Sequence, residues 1–186
     1  MAPGRYFPLA QSDPPPVLPL PGVPSTVVGV ADLHNDWDSQ VQCKDQFSPG
    51  IRDAINWTTL TFDPLGSTWG TEGVRRAPVW NSPPGSLYWG WNTKLVNQLK
   101  PPTLIIRGDL DTTVPLGDIQ AFIGDLVAVQ QKVFVHVACA SHYLQWENQH
   151  EILLRASVEW LQQGTFNGLS NGSFGVDAAG QVRREQ

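Results

Sequence analysis

What this sequence lacks narrows it first. Cysteine is scarce: there are two, Cys43 and Cys139, and neither has a partner at CxxC spacing. That pattern predicts neither a disulfide framework nor a cysteine zinc site. Basic clusters run no longer than Arg75–Arg76 or Arg183–Arg184, and the net charge is -5. A nucleic-acid or anionic-membrane surface needs a basic patch, so neither partner is expected. No apolar run approaches the ~20 residues of a membrane span. The opening MAPGRYFPLAQSDPPP has no compact apolar stretch, so no signal peptide is read there. With so few cysteines and no signal peptide, the default location is cytoplasmic.

What is present is unevenly spread. Eight of the 16 prolines fall in residues 1–24, and six of the 8 tryptophans lie between Trp37 and Trp91. The chain of 186 residues can bury one core, with or without an appendage. Residues 1–30 form a Pro-rich extended segment, because proline fixes φ and removes a donor. Within it, STVVGV suits a short strand. Residues 31–92 carry one helix pattern, SPGIRDAINWTTL, with Ser48 as N-cap and Pro49 at the first helical position. A long Gly/Pro/Trp-rich stretch follows, and loops of that length usually serve a function or pack on another surface.

Regular periodicity begins at Thr93. TKLVNQL reads as a short helix and TLIIRG as a buried strand. In LGDIQAFIGDLVAVQQ, Ile119, Phe122, Ile123, Leu126 and Val127 share one helical face. KVFVHVACA is a second strand. NQHEILLRASVEWLQQG is a helix with Ile152, Leu153, Ala156, Trp160 and Leu161 inward and Gly164 as its cap. Residues 93–164 therefore read α-β-α-β-α, with the two strands parallel neighbours joined by a right-handed crossover. Residues 165–186 read as a polar C-terminal tail.

Chemistry gathers at the ends of the two strands. The first ends on GDLD, with Asp109 and Asp111; the second on CASH, with His142. Ligands of open α/β sheets sit at that edge. A carboxylate accepting from imidazole Nδ1–H fixes the tautomer and leaves Nε2 free as a general base. Only one of Asp109 and Asp111 is expected to face the histidine. The competing reading has both aspartates capping the next turn, with His142 a solvated loop residue. Ser141 and Cys139 beside it are discounted as nucleophiles: the serine adjoins the imidazole in sequence, and the cysteine reads as an inert small hydrophobe.

PPTLIIRGDLDTTVP, followed by VFVHVACASHYLQWENQHEILLRASVEWL, resembles the C-terminal part of an α/β-hydrolase fold enzyme. The resemblance covers about residues 100–163. It implies a fold class: the C-terminal portion of an α/β-hydrolase parallel sheet with flanking helices and a Trp/Pro/Gly-rich cap. It makes residues 31–92 that cap or lid, and residues 93–164 the hydrolase core. It gives Asp111 the role of triad acid, with Asp109 as the fallback, and His142 the role of triad histidine. Trp57, Trp69, Trp80, Trp89 and Trp91 would roof an apolar acyl pocket. No cofactor is implied.

The chain departs from the family at the nucleophile. G-x-S-x-G is absent. The nearest string, GSTWG, centres on Thr68 and follows no apolar strand. The expected activity is thus that of a serine-hydrolase component acting on an ester, amide or lactone. A second chain or an N-terminal half would bring the serine. The alternative is a non-catalytic hydrolase-like interaction module. A weaker alternative uses DLHNDWD: Asp32, His34 and Asp36, at spacing two, could hold a divalent metal if the segment were extended.

Overall fold

The computed structural model describes residues 25–63, 75–78 and 96–185. The elements run β1 (Ser25–Val28), α1 (Val30–Asp38), α2 (Ile51–Phe62), β2 (Arg75–Pro78), β3 (Thr103–Gly108), α3 (Leu116–Asp125), β4 (Lys132–Val137), α4 (His150–Gln163), β5 (Asn171–Val176) and β6 (Val182–Glu185). Residues 1–24 and the first part of the helix expected from Thr93 lie outside the described residues.

The architecture is mixed α/β. A four-stranded sheet runs β3-β4-β5-β6. β3 and β4 are parallel, in the register Thr103↔Lys132 through Gly108↔Val137. β5 is parallel to β4, and β6 returns antiparallel. Two parallel strands cannot be joined by a tight turn, and α3 and α4 supply the two crossovers. Alternation along the strands divides the core. Val133, Val135 and Val137 of β4 pack with Ile152 and Ala156 of α4 and with Phe174 and Val176 of β5. Ile105 of β3 turns the other way, against Phe122, Leu126 and Val129. β1 and β2 form a separate antiparallel pair.

Several expectations need correction. The stretch read as a polar tail holds β5 and β6. Phe166 and Phe174 are buried and meet edge to face. The strand signal is the short alternation of Phe174 and Val176 with Ser173 and Gly175. The turn signal is Asp177 to Gly180: the Asp177 carboxylate accepts from the Ala179 and Gln181 N–H groups, and Gly180 has φ 79°. The N-cap of α2 is Gly50, in the left-handed conformation, not Ser48, whose hydroxyl reaches Asn148 instead. α3 stops at Asp125, so Val127 lies past the helix and is 66 % exposed. Leu161 is 84 % exposed; one residue beyond Trp160, it is rotated about 100° off the inward stripe.

The largest correction concerns the cysteines. Cys43 and Cys139 form a disulfide, with Cα atoms 5.6 Å apart and a sequence separation of 96. No local spacing encodes this pair; the fold brings the α1–α2 connection onto the end of β4. The cytoplasmic default loses the support it drew from two unpaired thiols. A loop of that length makes the bond a large constraint on the unfolded chain, ~3 kcal/mol or more. Reduction, or Cys43→Ala, is therefore expected to lower Tm by roughly 6–12 °C. A calorimetric scan with and without dithiothreitol checks this; superimposable scans would contradict it.

Candidate functional site: an acid and a histidine at the sheet edge

The two loops that follow β3 and β4 are built to touch. Gly108 ends β3, and the Leu110 N–H bonds to the Ala140 carbonyl of the histidine loop at 2.8 Å. Asp111 and His142 then face each other, with His142 Nδ1 3.1 Å from Asp111 Oδ2. The other carboxylate oxygen, Oδ1, accepts from the backbone N–H groups of Thr113 and Val114, each at 2.8 Å. An ionised carboxylate can only accept, so Nδ1 carries the proton. The imidazole is 42 % exposed, and its Nε2 has no hydrogen bond among the described residues.

Electrostatics favour the ion pair. Burial pushes the Asp111 carboxyl up, but hydrogen bonds from His142 and the Val114 N–H outweigh it. The charges of His142 and Arg107 add to them, and the net direction is down. The hydrogen bond to Asp111 raises His142; burial opposes it, and the charges of Asp111 and Asp36 reinforce it. Arg107 also braces the acid turn from within, donating to the carbonyls of Asp111 at 2.6 Å and Val114 at 3.0 Å.

Behind the histidine loop sits a fully buried carboxylate. Glu147 Oε1 accepts from Trp37 Nε1 at 2.9 Å, Gln46 Nε2 at 2.8 Å and Ser141 Oγ at 2.6 Å. Its Oε2 takes the Ser141 N–H at 2.6 Å. Four donors replace the water that a lone buried charge would need. Ser141, itself buried, spends its hydroxyl on this structural bond. Trp37 stacks on Tyr143 with ring centroids 4.8 Å apart, and both pack with Leu33 and Ile55. Segment 30–62 is thereby fastened to the histidine loop by rings, by Glu147 and by the disulfide.

Of the two aspartates, Asp111 meets His142, and Asp109 reaches His136 Nδ1 at 2.8 Å. His136 Nε2 lies 2.6 Å from Glu185 of β6. Only an imidazolium can donate from both nitrogens, so this clasp ties β6 to the end of β3 best when His136 is charged. Burial lowers His136, but the hydrogen bonds to Glu185 and Asp109 and both their charges raise it on balance. The hydrogen bond from His136, helped by one from Ser173, draws Glu185 down against burial. The sign follows for each partner. The His136 contribution is complete below its ordinary 6.5 and is lost as pH rises through its raised value. The Glu185 contribution is complete above its ordinary 4.5 and is lost as pH falls through its lowered value. Hydrogen-exchange protection of the β6 amides, corrected for intrinsic rates, is expected to be greatest between those two pH values and to weaken above them. An unchanged profile in His136→Asn would contradict the clasp.

Other candidates fare differently. DLHNDWD is helical, so positions two apart lie on different sides of α1. His34 Nε2 pairs with Asn56, while Asp36 accepts from Tyr143 Oη and from Gln40. No group of three metal-binding side chains occurs among the described residues. The metal reading of Asp32, His34 and Asp36 is set aside on that geometry. Trp57 is 71 % exposed on α2. Trp69, Trp80, Trp89, Trp91 and Thr68 lie outside the described residues. Among the described residues, no helix is long and apolar enough to cross a membrane.

A cavity of 230 Å³ adjoins the pair, lined by Asp111, His142, Ile106 and Gly108 and by Ile119 of α3 and Leu153 of α4. α3 and α4 cover opposite faces of the sheet. The cavity lies at the carboxyl end of β3, among the loops that follow β3 and β4. Among the described residues, the edge of β3 away from β4 is unpaired. A second cavity, of 390 Å³, touches Thr103 and Leu104 at the start of β3 and Trp160 and Leu161 of α4. Leu104 to Ile106 are only partly buried, whereas Val133 to Val135 beside them are buried throughout. Comparison with family models, with curated proteins and with solved structures found no match to this chain.

Proposed function

We propose that this chain is a component of a serine hydrolase of the α/β-hydrolase type. It supplies the acid, Asp111, and the histidine, His142. A serine carried by a second chain or an N-terminal half attacks an ester, amide or lactone carbonyl. The Asp111–His142 contact carries the reading. The carboxylate is locked by two backbone N–H groups, and the imidazole presents Nε2 outward. In the reaction, Nε2 takes the serine proton as the acyl bond forms and returns it to the leaving group. Water then repeats the sequence to release the acid. Asp111 stays ionised throughout and stabilises the imidazolium.

The edge of β3 left unpaired among the described residues supports the partner. An apolar strand with one unpaired edge invites another strand. A strand added parallel to β3 would end at the same edge as His142. Leu154, Val158 and Leu161 form an exposed apolar stripe on α4, at spacings of four and three. That stripe, with the cavity beside Leu104, suits a second layer.

The same open edge favours a second reading, a binding module without chemistry. Fluorophosphonate labelling of the assembly isolated from its source separates the two. The hydrolase reading expects a labelled serine, with the labelling rate lowered about 10³-fold or more in His142→Ala. Absence of any label would favour the binding module.

A further inference from the structure

Gln40 lies just past the end of α1. Its side chain is completely buried and makes four hydrogen bonds. Oε1 accepts from the Thr112 N–H at 3.3 Å, in the acid turn, and from the His142 N–H at 3.1 Å, in the histidine loop. Nε2 donates to Asp36 Oδ2 at 3.3 Å and to Thr113 Oγ1 at 3.3 Å. The orientation of an amide is often ambiguous. Here two backbone N–H groups on one side and a carboxylate on the other admit a single orientation.

We infer that Gln40 is a positioning residue: one buried amide from segment 30–62 sets the spacing between the acid turn and the histidine loop, and so the Asp111–His142 contact. Its catalytic meaning rests on the hydrolase reading above, but its structural effect does not. The acid turn and histidine loop are 31 residues apart in sequence. Besides the Asp111–His142 contact itself, the direct bond between them runs from Leu110 to Ala140. Gln40 adds a bridge one residue beyond Asp111 and at His142 itself. No other uncharged side chain of similar size offers an acceptor to two N–H groups and a donor to a carboxylate. A carboxylate in its place would oppose Asp36, and an apolar group would take the acceptor from the Thr112 and His142 N–H groups. Segment 30–62 is then part of the acid–histidine machinery and more than a cover.

The groups facing the His142 ring are Asp111 from the acid turn, with Arg107 behind it, and Asp36 from α1. An NMR titration of the His142 imidazole in the full chain reads the contact without a substrate. In the parent protein the midpoint is expected above 6.5. Gln40→Met, which keeps the volume and adds no charge, is expected to move it down toward that value. Gln40→Asn, one methylene shorter, is expected to move it less and serves if the Met variant does not fold. Gln46→Met is the control. Gln46 is also buried in this segment; its amide donates to Glu147 and to the Gln40 main-chain carbonyl, but it makes no bond to the acid turn or to His142 and leaves the Gln40 side chain in place. It is expected to lose comparable Tm with the midpoint unmoved. In the assembled complex, Gln40→Met is expected to slow fluorophosphonate labelling about 10- to 100-fold. An unmoved midpoint in both Gln40 variants, or an equal fall in Gln46→Met, would overturn the positioning role. A parent assembly that takes no label overturns the hydrolase reading instead, while the titration still decides Gln40.

Discussion

Asp111→Asn is expected to cut fluorophosphonate labelling of the assembled complex by about 10⁴-fold while the chain stays folded. The reason is tautomeric. Asp111 Oδ1 accepts from two backbone N–H groups, at Thr113 and Val114. An asparagine must keep its carbonyl oxygen there, because an amide nitrogen facing two N–H donors would strand all of them. Its NH₂ group then points at His142 Nδ1 and donates to it. The imidazole must carry its proton on Nε2, where a general base needs a lone pair. The turn keeps both backbone bonds, so Tm should fall far less than activity. Labelling rate against Tm separates the two effects. A variant that labels at the parent rate would remove Asp111 from the mechanism.

The second large effect is expected at Gly108. An alanine Cβ there would lie 2.3 Å from the Ala140 carbonyl oxygen, 2.4 Å from its carbon and 2.5 Å from the Ser141 oxygen. All three are backbone atoms. The Ala140 carbonyl is further pinned by the Leu110 N–H, so the loop cannot give by rotating a side chain. Overpacking of this kind costs about 3 kcal/mol or more, roughly 6–12 °C of Tm in a chain of this size. The strand end and the histidine loop must separate, and the Asp111–His142 contact goes with them. Gly117→Ala, on α3 with nothing within 4 Å of its added Cβ, is the control. Thermal melts of both, with the His142 titration, make the comparison. A Gly108→Ala protein as stable as the parent would show that the two loops need no such close approach.

The sequence carried some parts of this site openly and hid others. TLIIRG and KVFVHV are apolar runs bounded by turns, and parallel strands follow from that pattern. Asp109 and Asp111 are two apart, a spacing that strand alternation would place on one side. They part because β3 ends at Gly108, and the turn braced by Arg107 carries Asp111 to His142 while Asp109 reaches His136. Arg107 left a signal that a reader could use. A cation inside an apolar strand needs acceptors, and the carbonyls of the acid turn are those acceptors. Glu147, Gln40 and the Cys43–Cys139 bond left none. Each joins positions about 100 residues apart across the fold, and spacing rules carry no information at that range. The lost strands of residues 165–186 are a different failure: glycine-rich alternation is a weak signal beside the polar residues around it. DLHNDWD misled for a related reason. A period of two suggested one extended face, whereas Leu33 and Trp37, four apart, are the buried pair of a helix.

The central claim is that this chain holds an aligned acid and histidine and draws its nucleophile from elsewhere. Peptide-level mass spectrometry of the fluorophosphonate-labelled native assembly tests it most directly. The expected result is an adduct on a serine outside residues 1–186, lost in His142→Ala. An adduct on Ser141 or Thr68 of this chain, or no adduct on any serine in the assembly, would contradict it.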